Sequence, residues 1–530
     1  MRQIFRGGQA WSPGRGHFSG LLIEGSRIIE TGPTALQLQA DLITELNGAF
    51  VMPAFGDGHA HPIFGGREAA GPKVNGLQSV AEIQEAVQVF ASENRDLPWI
   101  IGGAYEAAII EGGDFDAQWL DQVVSDRPVV LHAVDHHTIW VNSKALEIAG
   151  ITSSTPDPMG GTIARRADGS PKGTLREPVA FALVLNHSPK HTIESDVRAI
   201  KYACNQYLKS GVTYANDSWL EEGMAEAYLA AVKSGDLSID MNISFLASPG
   251  EWRDSLPNIE KLTAEFEPYA SQVNARSVKF LGDGALSSGT AALLEPYLDQ
   301  PGFSGLKIWD DAELFEAVSE FDKRGYQIHI HAIGDAAIRQ ALDAFEYMQA
   351  KSPARDRRPV LVHAQLIDSA DLPRISKLGV IANMQPLWMY LDPMNKELIL
   401  PRIGAERNNR QYQLRTLVDS GATVAFGSDW PVTSEVPLEA IHIPVNRALN
   451  LSGEPWSPEE AISIEESLTF YTASVAFQNF RERDLGKLEP GYKADFIILD
   501  KSPLLHSDAK IIAVYKNGEL VNAYKSWQQN

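Results

Sequence analysis

One rhythm governs most of this chain and limits what it can fold into. Short apolar runs rich in β-branched residues each end in a polar tip, then give way to a stretch with helical periodicity. The runs are "GVTYAND" (211–217), "DMNISFLA" (240–247), "SVKFLGDGA" (277–285), "QIHIHAIGD" (327–335), "PVLVHAQ" (359–365), "GVIANMQP" (379–386) and "TVAFGSDWP" (423–431). Between them lie amphipathic stretches such as "DAELFEAVSEFDKRG" (311–325) and "AAIRQALDAFEYMQA" (336–350), apolar at roughly every third or fourth position. "VMPAFGDGHAH" (51–61) supplies an eighth run. Buried strands alternating with helices predict a parallel sheet. Eight such units close a (β/α)8 TIM-type barrel, so the expected fold class is α/β with that barrel at its centre.

The two ends follow a different pattern. "HFSGLLIEGSRIIETG" near the start is alternating and punctuated by glycine, and the tail carries "YKADFIILD" and "IIAVYKNGELVNAY". Its Asn-Gly pair favours a tight hairpin turn. Residues 1–52 and 480–530 are therefore expected to build one small β-sandwich from both termini, leaving 53–479 as the barrel. The segment 66–205 is far longer than a βα loop requires and holds strands of its own ("PWIIGGAY", "RPVVLHAVDHHTIWVN"). It predicts an inserted α/β subdomain after the first barrel strand, placed at the barrel mouth.

Composition narrows the partners. A net charge of −22 and a pI near 5.0 weigh against nucleic acid and anionic membrane surfaces. A single cysteine, Cys204, excludes an intramolecular disulfide and a Cys-rich zinc site. The start has no apolar core of signal-peptide length, and no run approaches a membrane span. A cytoplasmic protein acting on a small-molecule substrate is the expectation.

The tips of the runs carry the chemistry. Residues i and i+2 of a strand share a face, so His59 and His61 can reach a single ion. A lone His-x-His is weak evidence, but other strand ends supply His331, His363 and Asp429. Lys279 sits inside an otherwise apolar strand. Barrel active sites form where the C-terminal ends of the strands converge, and imidazole with carboxylate suits zinc, iron, manganese or cobalt. His329 shares the face of His331 but lies deeper, as a packed interior histidine.

This order of residues resembles the amidohydrolase superfamily: His-x-His on the first strand, lysine on the fourth, single histidines on the fifth and sixth, aspartate on the eighth. "DHHTIWVNSKALEIAGI" (135–151), "GGTIARRADGSPKGTLRE" (160–177), "HAIGDAAI", "VHAQLID" and "GKLEPGYKADFIILD" (486–500) resemble the amidohydrolase-3 branch, which includes N-substituted formamide deformylase. The likeness runs nearly the whole length. Ala54 departs from it, standing where the family more often has glycine.

The resemblance implies two divalent transition-metal ions, zinc first, with iron, manganese or cobalt as alternatives. His59, His61 and Asp429 would hold one, His331 and His363 the other. Lys279 would bridge them as a CO2-derived carbamate; its alternative is an ion pair with Asp283 or another carboxylate. Metal-activated hydroxide would attack a carbonyl, with Asp429 as general base and then acid, cleaving a non-peptide C–N bond of N-formyl or N-acyl type. Deamination, ester or carbamate hydrolysis would use the same site, and a non-catalytic binding or regulatory relative is a further alternative. The family often forms homodimers, although no stretch marks an interface. His137 and Glu177 fall at positions that the family keeps polar, and either line the substrate pocket or stabilise a loop. Trp388, Tyr390 and Trp430 would form an aromatic wall or serve packing. His136 is expected to be exposed, and the histidines of "HSPKH" (187–191) to lie on the surface.

Overall fold

The structure is a computed structural model that describes residues 1–158 and 160–524. Residues 525–530, the end of the expected C-terminal sandwich segment, lie outside the described residues. All eight runs become strands of one sheet. They are β1 (Phe55–Ala60), β2 (Val212–Leu220), β3 (Asp240–Ala247), β4 (Val273–Leu281), β5 (Gln327–Ala332), β6 (Val360–His363), β7 (Ile381–Met384) and β8 (Thr423–Phe426). Neighbours pair in parallel from β1 through β8. Amphipathic helices such as Asp311–Lys323 and Asp335–Lys351 bury one face against them.

The barrel closes between β1 and β8 without a regular ladder among the described residues. Beyond the strand ends, Asp429 N donates to His59 O (2.8 Å) and His61 N donates to Trp430 O (2.7 Å). Lower down the backbones approach too closely for side chains. A Cβ at Gly427 would stand 2.5 Å from His59 N, and one at Gly58 would stand 2.7 Å from Phe426 O. The helix Ala473–Gln478 packs across this seam on both strands. Its last side chain reaches inside, where Gln478 Nε2 donates to Gly58 O at 2.7 Å.

A barrel interior is ordinarily filled by branched apolar residues. Here one layer is polar: Asn216, Asn242, Ser277, Gln327, His329 and Asn383 are all buried. They bond to one another. Asn242 Nδ2 donates to Asn216 Oδ1 and to Ser277 Oγ, both at 3.1 Å, and His329 Nε2 lies 3.0 Å from Gln327 Oε1. Partners of this kind are what let buried polar groups avoid the full desolvation cost. His329 is thus an interior histidine, as its depth in the strand predicts.

Both termini share a second sheet. Its order is Glu519–Ala523, Ile511–Lys516, Phe496–Leu499, Phe50–Pro53, Gln9–Ser12 and Gly16–Phe18. It faces a four-stranded sheet of N-terminal residues across a core that includes Phe5, Val51, Phe496 and Tyr515. Ala54 alone separates Phe50–Pro53 from β1, and it is fully packed, so an alanine fits there as well as a glycine.

After β1 the chain enters a separate five-stranded mixed sheet, ordered Thr162–Arg165, Pro171–Arg176, Thr138–Val141, Val129–Ala133 and Ile100–Tyr105. Tyr105, Phe115 and Trp140 form its aromatic core. The antiparallel pair Val129–Ala133 and Thr138–Val141 carries His136 and His137 in its connection. The chain returns to the barrel through the helix Ile193–Lys209, which is capped by Thr192 and packs on the helix Pro62–Glu68. Among the described residues no helix is long and apolar enough to cross a membrane.

Candidate metal centre

The parallel sheet brings its strand ends to one mouth, so residues far apart in sequence meet there. His59 is the penultimate residue of β1, and His61 immediately precedes the helix Pro62–Glu68. Asp429 follows β8 with φ +57°, and His363 ends β6 with φ +73°. Such left-handed backbone costs non-glycine residues on the order of 1–3 kcal/mol and is retained where surrounding structure enforces it. His59 Nε2 and His61 Nε2 lie 3.3 Å and 3.0 Å from Asp429 Oδ1, and the ligand atoms of all three lie within 4.8 Å of one another. None of these approaches is aligned as a hydrogen bond: Nε2 of His59 and Oδ1 of Asp429 are buried without a hydrogen-bond partner. Two imidazole nitrogens and a carboxylate oxygen converging on one point are a donor set suited to a cation.

His331 and His363 complete the mouth. Their rings are 4.6 Å apart, and His363 lies 5.2 Å from His59. His331 Nε2 faces the carbonyl of Gly284 (3.3 Å) and Asp283 Oδ1 (3.5 Å), which leaves Nδ1 as its free nitrogen. His363 Nδ1 faces Gln385 Oε1 at 2.8 Å, which leaves Nε2.

Lys279 is 1% exposed, and burial pulls its amine down to about 7 against the attraction of Asp429. Among the described residues it forms no ion pair. Asp283, its alternative partner, instead accepts the N–H groups of Ala292, Ile333 and Gly334.

Burial, reinforced by the Lys279 charge, holds His59 well below the usual imidazole range. Burial likewise lowers His61 and His331, and takes His363 to about 4. Neutral imidazole is the ligating form. Burial opposes ionisation of Asp429, but His59 and His61 outweigh it and hold the carboxyl well below its ordinary value. Neutral nitrogens beside one carboxylate suit a transition metal better than calcium or magnesium, which prefer oxygen shells.

The connection between Val129–Ala133 and Thr138–Val141 brings His137 up to this centre. His137 Nδ1 is 3.0 Å from Glu177 Oε2, and its ring is 5.6 Å from that of His331. Burial alone would lower His137, but Glu177 outweighs it and raises the imidazole to about 9. Glu177 itself has φ +71° and accepts Thr290 Oγ1 (2.5 Å) and Ser288 Oγ (3.3 Å). His136 is half-buried rather than exposed, because its Nε2 sits 3.1 Å from Glu68 Oε1. His187 and His191 lie on the surface.

Trp388 stacks on His363 with rings 5.1 Å apart and 13° from parallel. Trp430 packs edge-on to Tyr207 and covers Gly65. Both tryptophans and the half-buried Tyr390 line a cavity of about 2120 Å³ that also contains the centre. Reading strand tips for histidine, lysine and aspartate passed over Gln385 and Glu68. It also missed Asp57, which binds Ser428 N (2.9 Å) and so anchors the backbone beside Asp429. The i, i+2 parity of Asp57 with His59 is the one signal that pointed to it.

Known proteins resemble this chain over most of its length. A model of the amidohydrolase family matches residues 43–522. Protein LONG AFTER FAR-RED 3 of Arabidopsis thaliana is 30% identical over 94% of this chain and 87% of its own length. N-substituted formamide deformylase of Arthrobacter pascens is 26% identical over 91% of this chain and 90% of its own. The crystal structure of an uncharacterized metal-dependent hydrolase from Pyrococcus furiosus superposes with a TM-score of 0.74 at 28% identity, covering 95% of this chain and all of that one.

Proposed function

The chain belongs to the amidohydrolase family, and from that premise we propose that it hydrolyses a non-peptide C–N bond of a small N-formyl or N-acyl compound. One observation carries the reading: His59, His61, Lys279, His331, His363 and Asp429 all line a single cavity, with neutral imidazoles and an ionised carboxylate turned toward each other. His59, His61 and Asp429 would hold one zinc ion, His331 and His363 a second. Lys279 would join them as a carbamate, since burial favours the neutral amine that reacts with CO2. Zinc, when bound, lowers the pKa of a coordinated water to about 7 and polarises a carbonyl.

The protein's own groups do the rest. Asp429, held ionised, takes a proton from the attacking water and returns it to the departing nitrogen. His137, held as a cation by Glu177, faces His331 across the cavity and would steady developing negative charge on the carbonyl oxygen. Trp388 and Trp430 offer an aromatic wall for an apolar N-substituent. The similarity to N-substituted formamide deformylase supports the N-formyl class.

The test is a panel assay on zinc-loaded protein with N-formyl and N-acyl amines, aminoheterocycles, carbamates and aryl esters. Release of amine and carboxylate from the amides is expected. Turnover confined to the heterocycles, carbamates or esters would overturn the bond type. No turnover by metal-loaded protein would favour a binding relative.

A further inference from the structure

Beneath the centre, three buried amides connect one candidate ligand to the backbone beside another. His363 Nδ1 lies 2.8 Å from Gln385 Oε1. Gln385 Nε2 donates to Asn383 Oδ1 at 3.1 Å, and Asn383 Nδ2 donates to Gln478 Oε1 at 2.8 Å. Gln478 Nε2 then donates to the carbonyl of Gly58 at 2.7 Å, the residue before His59. Gln385, Asn383 and Gln478 are all fully buried.

The direction of this chain is set at its far end. A carbonyl oxygen only accepts, and Gly58 O also receives Asn216 Nδ2 at 3.3 Å. Gln478 must therefore offer its NH2 to Gly58 and its oxygen to Asn383. Asn383 must then give its NH2 to Gln478 and its oxygen to Gln385. Gln385 is left presenting oxygen to His363, so Nδ1 carries the hydrogen and Nε2 the lone pair. Reversing any amide would place two donors or two acceptors face to face in a dry interior.

We propose that this relay fixes the tautomer and ring orientation of His363 and thereby sets metal affinity at the β6 side of the centre. Gln385, Asn383 and Gln478 act as positioning residues. Gln478 enters from the helix that seals the β1–β8 seam, so barrel closure and ligand orientation depend on the same side chain. The inference rests on the reading of His363 as a ligand. Partners on the non-ligating nitrogen of a histidine are known to tune affinity in this way.

The test titrates zinc from wild type, Gln385→Met, Gln478→Met and Gln385→Glu with a chelator of known affinity, and records visible spectra of the cobalt-loaded forms. Gln478 does not touch His363, which makes its variant decisive. Both methionine variants are expected to bind one ion about 10- to 100-fold more weakly, with an altered cobalt spectrum and unchanged far-UV circular dichroism. Gln385→Glu keeps an acceptor opposite Nδ1 but sets its other oxygen against Asn383 Oδ1, and is expected to bind the ion less tightly than wild type and more tightly than Gln385→Met. If Gln478→Met fails to fold, Asn383→Ser interrupts the relay in its place. Wild-type affinity in Gln478→Met, or equal weakening in all three variants, overturns the relay while leaving the metal centre standing. A wild-type protein that binds no metal overturns both.

Discussion

Nε2 of His61 and Oδ1 of Asp429 lie 3.0 Å apart across the seam where β1 and β8 meet. The backbone holds them there: His61 N donates to Trp430 O, and Asp429 N donates to His59 O. Asp429 thus stands among the proposed ligands and at the point where a proton must move. Asp429→Asn keeps an oxygen for the cation and removes the base. We expect it to retain metal by elemental analysis while kcat on the best substrate falls about 10²- to 10⁴-fold. Full activity would remove Asp429 from the mechanism.

His59 has no hydrogen-bond partner on either ring nitrogen, so a bound cation would be its principal stabilising contact. A ligand that binds only the folded state raises its stability. Zinc should therefore raise the Tm of wild type over its chelator-treated form, and His59→Ala should abolish most of that difference. Scanning fluorimetry with and without zinc measures it.

The His137–Glu177 pair predicts a pH dependence of definite sign. His137 rises to about 9 in the folded protein from an unfolded value of ~6.5. Its contribution is then fully present below pH ~6.5 and is lost as pH rises through about 9. Glu177→Gln should lower Tm most at pH 6, and the gap to wild type should narrow as pH approaches 9. A gap that widens with pH would contradict the ion pair.

Lys279 predicts the reverse slope for the metal-free protein. Its folded value of about 7 lies below the unfolded ~10.4, so the unfolded chain holds the extra proton between those values. Metal-free wild type should therefore gain stability as pH rises through that window. Lys279→Met should flatten the slope and raise the metal-free Tm by a few degrees at pH 7. The same variant should bind less zinc.

Much of the fold was legible because each barrel strand combines an apolar run with a following helical period, a pattern that few architectures share. The candidate ligands were legible for a related reason. Histidine, lysine or aspartate at the end of an apolar strand has little reason to be there unless it meets a partner. The polar layer was not legible. Asn216, Asn242 and Asn383 look like ordinary interruptions of a strand, and only closure of the barrel brings them within hydrogen-bonding distance. Gln478 was still less visible, since its role depends on where one short helix falls against the seam. His136 differed from expectation because Glu68, its partner, ends the helix Pro62–Glu68, far from it in sequence.

Metal content per chain, measured by elemental analysis on protein purified without chelators, decides whether His59, His61, Lys279, His331, His363 and Asp429 form a metal centre. Close to two transition-metal ions per chain are expected, falling below two in His59→Ala and in His331→Ala. Protein that holds no metal, even after incubation with zinc and bicarbonate, would contradict a metal centre.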